Sequence, residues 1–410
     1  MKYFKNTELA ALYHVSEKSV RNWIEATEAG KLELLLHEQN GKKYIANTVK
    51  NTAMVEELVA RGKKYKNSRG FKVVQPSPKF YDLYSDAQVV DIISNLDIYH
   101  ETPIQYTYFN SGAKRWDDYT RHLLEADETN ALSNTVNLLN VNFRYLDELV
   151  EGYAGVNIID LGVGNALPVR EFLEHFQNKG QLKRYIGIDI SKELLDIAEH
   201  NINKWFNGQV QFEGHVRDIV YERFNDLLVS DAFGTDAGST INLVLFLGGT
   251  LANFREPSHA LSTIHDSMGK QDLLLYSKKL DNQKARRFFE LAAPGNQALE
   301  LVLQLMNIDK SFYTLDQLFD ESKKAREAYA RLEVAVAVEF ELQGQKRVIE
   351  LNKGDRILLW RAKHQTILEV ITQFDDNDFE LLQATRSKDQ TYVLTVSRVR
   401  TPNGEAYPAG

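Results

Sequence analysis

The segment Ile158-Ile159-Asp160-Leu161-Gly162-Val163-Gly164-Asn165-Ala166 joins an apolar run to a turn with glycines two residues apart. Glycine tolerates positive φ and carries no Cβ, so a ligand can lie against the backbone of such a turn. Pro168 then stands where the first turn of a helix accepts it. A nicotinamide-dinucleotide fingerprint would need a third glycine at position 167, which is Leu167, and the leading Asp160 is atypical of it. Two further acids recur in the same kind of place. Asp189 ends the run Tyr185–Asp189, and Asp218 closes Gly214-His215-Val216-Arg217-Asp218. Either acid alone is ordinarily a solvated group or a helix cap. Three carboxylates and two glycines at successive strand ends instead describe a ligand site.

The elements that must position these groups alternate in kind. Val156–Leu161, Tyr185–Asp189 and Ile241–Phe246 read as buried strands, with Val210–Glu213 as a further strand before Asp218. Pro168–Phe176 and Ser191–Phe206 read as helices between them. That alternation predicts an α/β fold with a parallel sheet and crossover helices. Residues 79–150 read as mostly helical. Beyond Asn282 a helical stretch precedes strand candidates at Leu332–Leu342, Arg347–Leu351, Ile357–Trp360 and Tyr392–Arg398.

The 410 residues exceed one ordinary core, and 43% apolar with 26% charged residues is a globular balance. Zero cysteines exclude disulfides, thiolate metal sites and cysteine nucleophiles together. The ten histidines show no metal-ligand spacing, so no metal is expected. No apolar run is long enough to span a bilayer, and the start lacks a signal core, so the expectation is a cytoplasmic protein with no membrane partner. Residues 1–72 hold 14 Lys and Arg against 8 Asp and Glu, while the remainder holds 35 against 49. A basic head on an acidic body suggests different partners for each, or simply two solvated surfaces. The expected division is 1–72, a linker and helical entry segment over 73–150, and 151–400. The polar run Arg61–Gly70 and Gln75-Pro76-Ser77-Pro78 read as linker.

In the head, Leu9 and Leu12 of Thr7–Tyr13 are expected to face inward, and His14-Val15 to break the chain. Ser16 is a helix cap for Glu17–Ile24, with Val20, Trp23 and Ile24 on one face. Ser16, Lys18, Ser19, Arg21 and Asn22 then point outward. Leu32–Leu36 and Lys43–Ile45 read as a hairpin about Asn40-Gly41, with Lys42 and Lys43 near its tip. This layout resembles the winged helix-turn-helix domains of excisionase-like and MerR-like proteins. The resemblance implies that those seven polar residues contact double-stranded DNA, weakly and salt-dependently, in a homodimer. A small protein-docking helical domain is the alternative.

Asp160-x-Gly162-x-Gly164 resembles the first motif of the Rossmann-like methyltransferases that use S-adenosylmethionine. The wider pattern is similar to the histidine-specific methyltransferase family of the ergothioneine route. Leu245-Phe246-Leu247-Gly248-Gly249-Thr250-Leu251-Ala252-Asn253-Phe254 looks like that family's fourth-strand motif. Pro103–Arg115 looks like its entry segment, and Gly354–Arg398 like its strand-helix-strand ending. The resemblance implies a class I methyltransferase sheet with helices on both faces, beside the small head. It also implies cofactor contacts from Asp160, Gly162, Gly164 and Gly248, ribose hydroxyls on Asp189, and the adenine amino group near Asp218. Asn253 matches the asparagine that holds a substrate carboxylate; a turn residue before the helix near Pro257 is the alternative. Tyr106, Tyr108 and Phe109 read as core aromatics or as pocket walls, and Tyr108 is assigned to the substrate.

Two departures bear on the acceptor. The family's Tyr-Tyr-Pro-Thr-Arg stretch is replaced by His122-Leu123-Leu124-Glu125-Ala126-Asp127, and its Glu-x-Ser pair by Trp360 and Ala362. Losing polar groups from a hydrogen-bonding site costs discrimination steeply, so another small-molecule or peptide amine is expected in place of histidine. No general base stands out. The competing expectation is a transcription regulator whose inactive domain senses S-adenosylmethionine. A nucleic-acid methyltransferase is disfavoured, because Gly248-Gly249-Thr250 replaces the expected Pro-Pro motif.

Overall fold

Residues 3–13, 15–67, 70–125, 130–228, 240–282, 286 and 298–400 are described by a computed structural model. They form two compact units: Met1–Val73 with Val334–Ala337 and Glu350–Asn352, and the rest.

In the first unit, β1 (Tyr3–Phe4) and α1 (Asn6–Leu12) precede α2 (Glu17–Glu28). The hairpin β2 (Leu36–Gln39) and β3 (Lys42–Ala46) and then α3 (Val49–Asn67) follow, and the strands order as β1-β3-β2. Asn40 and Gly41 carry φ of 52° and 72°, as a two-residue hairpin turn demands. Ser16 caps α2 by accepting from the Ser19 N–H at 3.1 Å. Leu9, Val20, Ile24, Leu34, Ile45 and Val55 make the core. Leu12, expected inside, is 58% exposed; Ala10 and half-buried Tyr13, four residues after Leu9, pack instead. Leu32–Leu35 is not strand, since the Leu35 N–H and carbonyl bond the Asn51 amide at 2.9 and 2.8 Å. The run expected to be linker is helical as far as Asn67, and Lys and Arg are good helix formers. His14 lies outside the described residues.

After β4 (Phe71–Val74), a helical segment comprises α4 (Pro78–Leu83), α5 (Asp86–Tyr99), α6 (Ser111–Glu125), α7 (Ala131–Val141) and α8 (Phe143–Leu149). Then β5 (Gly155–Leu161), α9 (Arg170–Asn178), β6 (Leu182–Asp189), α10 (Lys192–Phe206) and β7 (Phe212–Val216) alternate. The alternation continues through α11 (Asn225–Leu228), β8 (Thr240–Phe246), α12 (Pro257–Ser267) and β9 (Leu273–Lys279). The carboxyl part holds α13 (Leu301–Leu305), β10 (Tyr313–Asp320), β11 (Ala325–Leu332), β12 (Ala335–Leu342), β13 (Gln345–Leu351) and β14 (Arg356–Lys363). It ends with α14 (Ile367–Asp375), β15 (Phe379–Arg386) and β16 (Tyr392–Val399).

Seven strands form the central sheet in the order β15-β16-β9-β8-β5-β6-β7. β9, β8, β5, β6 and β7 run parallel, and β16 and β15 are antiparallel at one edge. Strand side chains alternate between faces, so Ile158 and Leu243 pack with Phe172, Phe176 and Ile202, while Ile159 and Val244 meet Leu261, Ile264 and Phe374. Helices thus cover both faces. Chain order reverses between β5 and β8, and such a switch point opens a crevice at the carboxyl ends of the strands.

The third strand begins at Phe212 rather than Val210 and takes in Gly214-His215-Val216. Leu332–Leu342 is two strands, broken where the Glu333 N–H turns to the Phe312 carbonyl at 2.8 Å. The stretch expected to be helical contains the β10–β11 hairpin, which pairs onward to β14. Its Leu, Glu, Lys and Ala suit a helix locally, but cross-strand pairing overrides that preference. Among the described residues no helix is long and apolar enough to cross a membrane.

Phe172 is fully buried between α7 and the sheet. Phe172→Ala should destabilise the protein by about 3–5 kcal/mol, read as a lower denaturant midpoint at unchanged slope.

Candidate functional site

At the switch point the turn after β5 meets the ends of β6 and β8. Gly162 and Gly164 have φ of 69° and 55°. A Cβ on Gly164 would sit 3.2 Å from Trp116 Nε1, so the bare backbone leaves a cradle under the indole. The Gly164 N–H donates to Asp189 Oδ2 at 3.1 Å, and the Ser191 N–H donates to Oδ1 at 3.0 Å. One carboxylate therefore ties the glycine turn to the end of β6 and the start of α10. Tyr185 donates to Asp160 Oδ2 at 3.1 Å.

Asp160, Asp189 and Asp218 line one crevice, together with Gly162, Gly164, Gly248, Tyr108 and Asn253. Every residue expected at the cofactor or the acceptor thus borders a single space. Burial raises the Asp160 carboxyl to about 7 against the opposing Tyr185 bond, with the Asp189 charge adding to the rise. Burial likewise raises Asp189 to about 6 despite its backbone donors, and Asp218 to about 6. Asn253 ends a single 3-10 turn, Thr250–Asn253, ahead of α12.

The reading of the sequence missed the wall opposite the strands. Trp116 and Thr120 on α6, and Gln105 before it, line the crevice as well. Asn165 fastens that wall, its amide donating to Asp117 Oδ1 at 2.7 Å and Thr120 Oγ1 at 2.5 Å. Asn165 follows the glycine turn directly, which was the signal available. Gly112 lets α6 begin there, for a Cβ would fall 1.7 Å from the Thr107 carbonyl oxygen. Tyr106 and Phe109 are buried as core, whereas Tyr108 borders the crevice and meets Trp116 at 5.7 Å.

His122 and Leu124 are exposed on α6, and none of His122–Leu124 borders the crevice; Ala126 and Asp127 lie outside the described residues. Trp360 and Ala362 lie on β14, away from the crevice lining, with the Arg326 guanidinium 5.0 Å from the Trp360 ring centre. In the first unit Ser16, Lys18, Arg21, Asn22 and Lys42 are exposed. Ser19 is half-buried and its hydroxyl lies 3.0 Å from that of Ser16. Lys43 is held by Glu28 at 2.7 Å.

Residues 90–399 match the family described as histidine-specific methyltransferase, SAM-dependent. The chain belongs to this family. It is accordingly an S-adenosylmethionine-dependent methyltransferase. No curated protein matches the chain. Among solved structures, an S-adenosylmethionine-dependent methyltransferase from Clostridium acetobutylicum is similar at 8% identity and TM-score 0.35, covering 70% of this chain and 99% of that one. Magnesium protoporphyrin IX methyltransferase from Synechocystis is similar at 10% identity and TM-score 0.39, covering 73% and 98%. The family assignment rests on the match over 90–399 rather than on these likenesses.

The raised carboxyls of the methyltransferase have a consequence for stability. Below 3.8 both folded and unfolded chains hold the proton; between there and about 6 to 7 only the folded chain does. Stability should therefore fall as pH rises through that window. Moving Asp189 from 3.8 to about 6 corresponds to about 3 kcal/mol. Denaturant titrations of the ligand-free protein across the window should show the fall, and Asp189→Asn should flatten it.

Proposed function

We propose that the crevice holds S-adenosylmethionine and that the acceptor is an amine other than free histidine. The observation that carries the first part is the convergence of three carboxylates, buried Asp160 and Asp189 and half-buried Asp218, on one space beneath a glycine turn. The residues fit the group. Asp189 presents acceptors for two ribose hydroxyls, Asp218 one for an exocyclic amino group, and the Gly162–Gly164 backbone lets the ligand lie close. Burial disfavours the bare charged acids, so hydroxyl donors and a cationic sulfonium arriving in the crevice stabilise them. When bound, the cofactor would supply an electrophilic methyl to an amine lone pair, with the S–C bonding electrons left on sulfur. The amine must arrive deprotonated, its proton going to solvent.

The chain's own residues orient and exclude water. Trp116 and Tyr108 form an aromatic wall over the glycine turn. Asn253 borders the same space and can donate its amide to an acceptor carboxylate. Alignment and a dry site are sufficient for such a displacement. With His122–Leu124, Trp360 and Ala362 off the crevice, none of the positions matched to the family's polar acceptor contacts lines it, which supports a changed acceptor.

A second function belongs to the head. Lys18, Arg21 and Asn22 stand exposed on α2, and Lys42 at the hairpin tip, which supports double-stranded DNA as its partner. Lys43 is engaged by Glu28 and contributes less.

Asp189→Ala should weaken S-adenosylmethionine by about 1.5–3 kcal/mol for each bond lost, measured by calorimetry. Wild-type affinity should drop as pH falls through about 6, where Asp189 and Asp218 take protons. Unchanged affinity in the variant removes Asp189 from the site. The full chain should shift duplex DNA at low salt, and Arg21→Glu with Lys18→Glu should abolish the shift. No retardation of any duplex by the wild type removes DNA as the partner.

A further inference from the structure

S-adenosylmethionine brings two cations, its ammonium and its sulfonium, but also a carboxylate. Asp160, Asp189 and Asp218 suit cations, hydroxyls and an amino group, and none of them suits an anion. Among the described residues that line the crevice, Arg217 is the only lysine or arginine. It stands beside Asp218, and Asp226 engages it at 2.7 and 2.5 Å. Neutral donors must therefore meet the carboxylate.

The order of the strands says where those donors lie. β7, β6 and β5 are neighbours in that sequence. With the exocyclic amino group at Asp218 after β7 and the ribose at Asp189 on β6, the amino-acid tail runs toward the turn after β5. Gln105 and Asn253 also border a neighbouring recess with Val220 and Tyr221, so their amides lie toward the Asp218 end. Trp116, Thr120, Asn165, Pro168 and Val169 line the crevice but not that recess.

The polar side chains of α6 and the turn are largely spent on each other. Asn165 gives its amide to Asp117 and Thr120, and its Oδ1 accepts from the Leu167 N–H at 3.2 Å. Thr120 turns its hydroxyl back to the Trp116 and Asp117 carbonyls at 3.1 and 3.0 Å. The half-buried Trp116 indole differs, for its N–H has no hydrogen-bond partner among the described residues. Its nitrogen lies 3.2 Å from where a Gly164 Cβ would be, so it faces the glycine turn. The Tyr108 and Tyr119 rings, at 5.7 and 5.8 Å, steady the indole plane. An indole N–H donates and cannot accept, and an ionised acceptor binds it most strongly.

We infer that the Trp116 indole N–H donates to the carboxylate of S-adenosylmethionine, with the hydrogen bonds around Asn165 holding α6 so that the donor meets the glycine turn. The inference rests on the reading of the crevice as the cofactor site and adds a contact from the roof. Phenylalanine at this position would keep an aromatic wall and lose the donor, which separates the hydrogen bond from packing.

The test is calorimetric, on the full chain, with S-adenosylmethionine and decarboxylated S-adenosylmethionine, which keeps the sulfonium and the amine and lacks the carboxylate. The wild type should bind the carboxylate form about tenfold or more tighter. Trp116→Phe should cut that ratio by about tenfold, and Trp116→His, which keeps a ring N–H, should restore part of it. Reading the ratio within each variant cancels any general loosening of the crevice. A wild type that does not distinguish the two ligands overturns the inference and leaves the cofactor site standing. So does a ratio that Trp116→Phe and Trp116→His leave unaltered. Failure of the wild type to bind either ligand strikes the cofactor site itself.

Discussion

Keeping carboxylates at the buried carboxyl ends of parallel strands is the constraint from which the rest follows. A desolvated acid is unfavourable, and this chain holds three around one space, with Asp160 and Asp189 fully enclosed in the fold. The hydrogen bond from Gly164 to Asp189 is the most direct compensation. It works only if the turn after β5 brings its N–H across to the end of β6, and that path needs the left-handed conformations of Gly162 and Gly164. The parallel pairing of β5 with β6 sets the distance, since Leu161 lies opposite Ile188. Backbone donors and Tyr185 moderate the acids without cancelling the effect of burial. A ligand that brings hydroxyls and positive charge completes what the backbone begins.

The second requirement is a roof. Parallel strands supply only the floor of a switch-point crevice, and α6 with the turn before it closes the space. That closure depends on small contacts: Gly112 under the Thr107 carbonyl, Trp116 above Gly164, and Asn165 reaching Asp117 and Thr120. Arg121 extends the same network by donating to Asn201 Oδ1 at 3.1 Å, and Asn201 Nδ2 donates to the Asn165 backbone carbonyl at 2.9 Å. Floor and roof are thus joined by hydrogen bonds through one residue next to the glycine turn. Movement of α6 would alter the crevice without disturbing the sheet.

Much of this was legible in the sequence because buried parallel strands read as unbroken apolar runs. β5, β6 and β8 could be placed within a few residues, and with them Asp160 and Asp189. Asp218 was harder, since β7 is an edge strand with polar positions at Glu213 and His215 and its bounds shifted by two or three residues. The roof was legible only as helix. Nothing in the spacing of Trp116 or Thr120 says that they face a turn some forty-five residues later. The β10–β11 hairpin was hidden for a different reason: its residues prefer helix locally, and only pairing with β14 makes them strand. Leu12 and the run before Asn67 failed on short-range grounds, through a choice between i+3 and i+4 neighbours and through the intrinsic helix preference of lysine.

The two halves of the crevice come from different parts of the topology, which decides how this fold can change its acceptor. β5, β6 and β7 carry the acids, and their order and register leave little freedom, because shifting one strand would separate Asp189 from Gly164. The other side is built by α6 and the turn before it, through Gln105, Tyr108, Trp116 and Thr120, which answer to no such bond with the acids. Substitutions on α6 therefore leave the glycine turn and its carboxylate untouched, so the roof can vary while the carboxylate floor stays fixed.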